Sequence, residues 1–444
     1  MRVKNISIST LLIFIISSCN NPVERKDIIM EVSEDNEMIS STPFVEMSRE
    51  KLYDKILGSL VGSAIGDAMG APTEMWPRHN IRVEYGWVDR LDDMVREASP
   101  EGIWDVNLEA GGTTDDTRWH VFLGNYIANN VSEFYSTNGP DPYNFAQYVV
   151  DQYKVELESL KDIDSFSPAP FENQMMRIAW LQEFAIVAKP YAEKDIDGYR
   201  NAVNKFYGGE MACPGLLYSP VIGLPYPGAP KLAYESAYLF SIFDIGFTRD
   251  ISSLTAAMVA AAMPEDSSPE KILAVLSEID PQYYFKSRLL GRMTYGMYRN
   301  AQYIVDEAKK VKSADEVDVK IVADQYDPRY LAQLQKAYDM LDERNQDVPF
   351  HSGEIHLINL TALLFTDFDF RKAMEFIINY GRDNDTVAAV TGAILGAYYG
   401  YEKLPEDLKA PIFKINKEKL GIDLELLANQ LTDRIIENKA VSVN

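Results

Sequence analysis

Two short acidic stretches carry the residues best suited to chemistry. Gly111–Thr117 reads GGTTDDT and sets the adjacent carboxylates of Asp115 and Asp116 between hydroxyls, just ahead of the apolar run Trp119–Leu123. Gly381–Thr386 reads GRDNDT and repeats the pattern, with Asp383, Asp385 and Thr386 opening another apolar run. Neighbouring anions raise one another's pKa, so each cluster needs a reason. Helix capping is one: Thr or Asp satisfies free N–H groups, and early acids complement the positive end of the helix dipole. Metal binding is the other. The four carboxylates and the hydroxyls of Thr114 and Thr386 offer only hard oxygen donors. His79, His120, His351 and His356 are not spaced as a ligand set, so zinc is disfavoured. Oxygen donors of this kind suit Mg²⁺ or Mn²⁺, with Ca²⁺ next. Two cations close together would neutralise both acidic pairs.

The elements that must position these groups carry their own signal. Gly58, Gly62, Gly66 and Gly70 recur every four residues, and so do Gly392, Gly396 and Gly400. Glycine weakens a helix by about 1 kcal/mol per residue, so a stripe of it needs a packing reason. It lets a second backbone approach closely. In a bilayer such a stripe would mark dimerisation, but Asp67, Asp383 and their polar flanks point to a tight helix pair in a soluble core. If the pair is antiparallel, Glu74, in the loop after the first helix, falls beside Asp383 and Asp385.

The rest of the folded part is expected to be helical as well. Apolar residues keep helical spacing over Phe171–Ala188, Lys231–Phe243, Ser252–Ala262, Glu270–Ile279, Tyr330–Leu341 and Arg371–Tyr380, and strand alternation is scarce. The closing stretch from Glu406 to Lys439 reads as solvated, with one amphipathic helix. No linker-like shift divides residues 49–444, which are expected to form one large all-α domain.

A net charge of −24 over 444 residues argues against gripping polymeric nucleic acid, which takes clustered Lys and Arg. It argues weakly against adhesion to anionic membranes too, but leaves room for a nucleotide-like small substrate, because bound cations can reverse local charge. Arg2 and Lys4 precede an apolar run from Ile6 to Ile16, followed by Ser17-Ser18-Cys19. This reads as a lipoprotein signal over residues 1–18, with Cys19 as the lipidated first residue. Residues 19–48 then form a polar, acidic tether. The expected location is the bacterial cell envelope, with lipid on Cys19 as the sole membrane attachment. Cys213 is the one other cysteine, so no disulfide is expected.

GSLVGSAIGDAMGAPTE, GGTTDDT and GRDNDTVAAVTGAILGAYYG together resemble the ADP-ribosylglycohydrolase family, in family order, over roughly residues 51–400. The resemblance implies an all-α fold, a large orthogonal helical bundle around a central dinuclear site of two Mg²⁺ (or Mn²⁺) ions, and hydrolysis at ribose C1 of ADP-ribosylated or related substrates. It implies Thr114, Asp115 and Asp116 as one ligand group and Asp383, Asp385 and Thr386 as the other. It implies catalytic roles for Glu74 and Asp116, and places Asp67 near substrate or in support of the helices. Arg382 stands where the family has a small residue, and would contact phosphate or pair with Asp383. The family's central substrate motif has two partial matches: NQMMRIAW, with Asn173 and Arg177 as substrate contacts, and MACPGLLY (Met211–Tyr218). A Thr-His expected soon afterwards is missing from DIGFTRD.

Two other readings compete. Asp383–Thr386 also resembles the aspartyl phosphotransferase pattern, but that needs one more residue before the Thr and a preceding buried strand. A catalytically inactive, metal-stabilised binding protein on the same fold is the remaining alternative. Trp76, Trp104 and Trp119 flank the motifs and would stack a base or fill the core.

Overall fold

The computed structural model describes residues 46–95, 108–162 and 168–442, without the side chains of 162, 168–177 and 439–442. Cys19, the signal-like segment, Trp104 and nearly all of the tether lie outside the described residues. The helices are α1 (Arg49–Gly70), α2 (Arg78–Glu84), α3 (Asp115–Phe134), α4 (Pro142–Ser159), α5 (Pro168–Ala192), α6 (Ile196–Val203), α7 (Ser219–Ile222), α8 (Pro230–Phe240) and α9 (Thr248–Ala262). They continue with α10 (Pro269–Glu278), α11 (Met293–Lys309), α12 (Pro328–Asp342), α13 (Ser352–Phe365), α14 (Phe370–Tyr380), α15 (Asn384–Tyr399), α16 (Glu406–Ile415) and α17 (Leu424–Ser442). Among the described residues the sheet is a single ribbon of two rungs, β1 (Trp76–Pro77) antiparallel to β2 (Gly381–Arg382). No described helix is long and apolar enough to cross a membrane.

Helices α1 and α15 form the centre. Ser48 caps α1 by accepting from the Lys51 amide at 3.3 Å. From Lys55 to Gly70 every residue of α1 is buried, as is α15 from Asn384 to Ala397. A helix without a solvent face belongs in a core. The glycine stripes meet face to face and antiparallel. A methyl group on Gly58 would lie 2.4 Å from the Gly396 carbonyl oxygen, on Gly62 2.3 Å from that of Gly392, and on Gly66 2.1 Å from that of Ala388. Any side chain on these positions would push the helices apart.

The remaining helices pack around this pair. Trp119, on α3, is fully buried against Phe184, Trp180 and Tyr218, with ring centroids 4.3, 5.0 and 5.6 Å away. It belongs to the core and offers no free face to a base.

The closing segment departs from expectation. It supplies two helices, α16 and α17, joined by a π turn over Asn416–Leu420. Leu408, Ile412, Leu427, Leu431 and Ile435 are buried. Its charged residues hid an apolar stripe that covers α1 and α3, so the segment is part of the core wall.

Candidate functional site

The ends of α1, α3 and α15 converge, and the acids gather there. Oxygens of Glu74, Asp383 and Asp385 lie within 4.8 Å of one another. The Thr386 hydroxyl lies 3.2 Å from both Asp116 Oδ2 and Asp383 Oδ1 and shares its single hydrogen between them. One side chain therefore ties the two acidic stretches together across 270 residues of sequence.

Helix capping does not account for either stretch. Thr114 and Asp383 occupy the N-cap positions of α3 and α15, and neither side chain makes a capping bond. The Thr114 hydroxyl donates to Asp67 Oδ1 at 2.9 Å instead. Asp67 also accepts from the Thr117 hydroxyl at 2.6 Å and from the backbone amides of Thr114 and Thr117 at 3.0 Å. It is wholly buried. Asp67 thus clamps the start of α3 and sets the direction of Asp115 and Asp116, and its oxygens are taken up by that work.

The loop before α3 is held from a second side. Thr113 donates to Asn416 Oδ1 at 2.6 Å, and Asn416 Nδ2 donates to the Gly111 carbonyl at 3.2 Å. Gly111 has φ +103°, and a methyl group there would meet the Pro411 backbone at 2.9 Å. Asn416 was not legible as a site residue: no local pattern in FKINKEK marks it.

On the other side, β1 and β2 aim Glu74 and Asp383. Met75 and Arg382, the residues next to these acids, both have positive φ, 63° and 67°. Each left-handed non-glycine residue costs on the order of 1 kcal/mol or more, so the ribbon holds strain directly beside the carboxylates. Gly381 has φ +86°, and a methyl group on it would lie 2.5 Å from the Trp76 carbonyl oxygen. The Met75 amide closes the turn onto the Arg382 carbonyl at 2.7 Å.

Arg382 does not pair with Asp383. Its guanidinium forks onto Glu354 of α13, Nε to Oε1 at 2.6 Å and Nη2 to Oε2 at 2.8 Å, and also donates to the Gln346 carbonyl at 2.9 Å. Asp383 is left to the cluster. Of the two candidate central motifs, MACPGLLY reaches the acids: the buried Cys213 thiol lies 3.9 Å from Asp383 Oδ2. Asn173 and Arg177 fall in α5 where side chains lie outside the described residues.

The electrostatics are those of crowded, desolvated anions. Burial, with Glu74 next, pushes Asp383 up to about 8. Asp115 is pushed up to about 7 by the same causes, with Arg118 opposing. Asp116 and Asp385 are held well above the usual carboxylate range by burial, then by Asp67 and Glu74 respectively. Burial and the neighbouring carboxylates raise the Cys213 thiol too, which keeps it protonated and unfit as a nucleophile. Asp385 Oδ1 is buried with no hydrogen-bond partner. An orphaned carboxylate oxygen among crowded acids fits a hard divalent cation.

His120 is buried and pulled down to about 3 by that burial; it is a neutral packed group.

Comparison with known proteins agrees with this fold. Residues 48–440 match the family model described as ADP-ribosylglycohydrolase. A solved protein titled "ADP-ribosylglycohydrolase-related protein complex" superposes with a TM-score of 0.51 at 18% identity, covering 87% of this chain and 99% of that one. That likeness speaks for the fold. No curated protein matches the chain.

Proposed function

The chain belongs to the ADP-ribosylglycohydrolase family, a family of glycosidases, and from that premise we infer that it hydrolyses an N- or O-glycosidic bond at ribose C1 of an ADP-ribosylated or related ribosyl substrate. The observation that carries this reading is the convergence of Glu74, Asp383 and Asp385 within 4.8 Å, with Asp116 joined to them through Thr386.

Two divalent cations, Mg²⁺ or Mn²⁺, would be held by Thr114, Asp115 and Asp116 on one side and by Asp383, Asp385 and Thr386 on the other. Bound there, they supply positive charge that holds ribose hydroxyls and offsets the charge that develops as the C1 bond breaks. The chain's own residues do the rest. Asp67 and Asn416 keep the α3 ligands in register. Glu74 and Asp115 are partly exposed, whereas Asp116, Asp383 and Asp385 are buried; with Asp115 given to a cation, Glu74 is the partly exposed carboxylate left to meet water. It takes a proton from the attacking water as the water oxygen bonds to C1; the departing nitrogen or oxygen leaves with the bond's electron pair, and that proton passes from Glu74 to it, directly or through solvent, which restores the carboxylate.

The N-terminal sequence supports an exported, lipid-anchored enzyme, and such a location favours a scavenged nucleotide derivative or a modified extracellular protein as substrate. The test is a screen of residues 49–444 with Mg²⁺ or Mn²⁺ against ADP-ribosyl-arginine, ADP-ribosyl-serine, ADP-ribose derivatives and simple nucleosides. Turnover of one class is expected, and Glu74→Gln should lose ~10²–10⁴-fold while still binding metal. A full-rate Glu74→Gln removes Glu74 from the mechanism. Metal binding without turnover of any ribosyl compound would favour the inactive binding protein.

A further inference from the structure

A cavity of about 630 Å³ shares the β1–β2 ribbon with the carboxylate cluster but none of its acids. Residues alternate along the ribbon. Glu74 and Asp383 belong to the cluster, while their neighbours Met75 and Arg382 line the cavity.

The lining is basic in an acidic protein. Arg78, Arg82, Lys320 and Arg382 face one carboxylate, Asp342, although the chain as a whole carries −24. Two of these cations are matched: Arg78 by Asp342 at 2.7 Å, and Arg382 by Glu354. Among the described residues neither of the other two has a carboxylate within close hydrogen-bonding distance. Arg82 donates to the Lys320 carbonyl at 2.8 Å and to His79 Nδ1 at 3.0 Å. Among the described residues no carboxylate pairs with it. The Lys320 ammonium has only the exposed Asp318, at 3.8 Å. An arginine can only donate, so His79 Nδ1 is the acceptor and its proton sits on Nε2, a further donor on the cavity wall. Beside these polar groups the wall is apolar, with Met75, Ile321 and Val322, whose side chain is 70% exposed.

We propose that this cavity binds a phosphate-bearing, nucleotide-sized ligand, its phosphate on Arg82, Lys320 and the His79 Nε2–H and its base against Met75, Ile321 and Val322. The shared ribbon then links its occupancy to Glu74 and Asp383. The phosphate is either part of a substrate that extends past the ribbon or part of a separate nucleotide. The site itself does not rest on the hydrolase reading.

The test is calorimetric titration of the full chain with AMP in EDTA, with adenosine and inorganic phosphate as part-ligand probes. AMP is expected to bind without metal and more tightly than either probe. The double variant Arg82→Gln/Lys320→Gln should weaken it by ~10-fold or more, the scale of lost hydrogen bonds to a charged group. Thermal melting would show that the double variant is folded. Val322→Asp, at the exposed lip, should weaken AMP as well. Competition between AMP and a turned-over ribosyl substrate would make the cavity a substrate extension; simultaneous binding would make it a separate nucleotide site. No AMP binding in EDTA, or unchanged affinity in the double variant, would overturn the proposal. So would AMP binding that is lost in Asp385→Asn yet kept in the double variant, which would put the nucleotide on the carboxylate cluster. Failure of the hydrolase reading would show separately, as absent turnover with AMP binding intact.

Discussion

Gly70 lies directly against Asp385: a methyl group on Gly70 would come within 2.3 Å of the Asp385 Cα. It is the last step of the ladder that begins at Gly58 and Gly396, and it converts helix packing into the geometry of the carboxylate cluster. Because Gly70 meets Asp385, Glu74, four residues further on, falls beside Asp383 and Asp385.

Gly66→Ala should reach the site from a distance. Its methyl would lie 2.1 Å from the Ala388 carbonyl oxygen and 2.3 Å from the carbonyl carbon, so the helices must separate. Overpacking of this kind costs ~1–3 kcal/mol, more than the ~1 kcal/mol that alanine adds to helix propensity. Gly296→Ala on α11 is the control, since nothing lies within 4 Å of its methyl; it should stabilise by up to ~1 kcal/mol. Melting and Mg²⁺ titration of both read the difference, and equal behaviour would remove the packing argument.

Asp67→Asn should weaken cation binding without touching a cation. The carboxylate accepts from the amides and hydroxyls of both Thr114 and Thr117. Asparagine turns one acceptor into a donor aimed at donors. A loss of ~1–3 kcal/mol in stability and of ~10–100-fold in metal affinity is expected, measured by denaturation and calorimetry. Unchanged metal affinity would show that the start of α3 holds itself.

Chelation should lower the melting temperature of the parent protein. A ligand at 100 times its dissociation constant stabilises by about 2.7 kcal/mol, and its removal leaves the crowded carboxylates repelling one another. In Asp116→Ala and Asp385→Ala the chelator-induced shift should shrink and Mg²⁺ or Mn²⁺ binding should weaken. Parent-like stoichiometry in both variants would refute the ligand assignment.

His356 should contribute to acid sensitivity away from the site. It is buried, neither ring nitrogen has a hydrogen-bond partner, and its pKa is pulled down to about 4 by burial, with Asp250 opposing and Arg292 adding. The unfolded chain, with a histidine pKa of about 6.5, binds a proton in this window that the folded chain refuses. The contribution is therefore complete above pH ~6.5 and is lost as pH falls toward 4, on the order of 3 kcal/mol in all. His356→Leu should flatten the stability profile between those values; a parallel profile would show that the ring protonates freely in the fold.

Cys19→Ser should change where the protein goes. Ser17 and Ser18 lie between the apolar run and Cys19, and a lipid on that cysteine would be the only membrane attachment. The variant is expected in a soluble fraction or left unprocessed. Fractionation and migration identical to the parent would discard the lipid anchor.

The sequence by itself determined the helical class, the two glycine stripes and the acids that could hold cations. These are local properties: a four-residue glycine period, apolar spacing along each helix and adjacent carboxylates all sit within a few turns of chain. The placing of Glu74 beside Asp383 and Asp385 followed only on the condition that the striped helices run antiparallel, and the tertiary structure supplied that orientation. Partner choice was decided only in three dimensions. Arg382 chose Glu354 over Asp383, Thr114 turned from its cap to Asp67, Cys213 came to Asp383, and Asn416 pinned the loop at Gly111. A charged or polar side chain takes whichever partner the packing of distant helices brings within about 3 Å, and the closing helices hid their apolar stripe among charged neighbours. That distance is set by which helix faces meet, a property of the whole fold and not of any stretch of sequence.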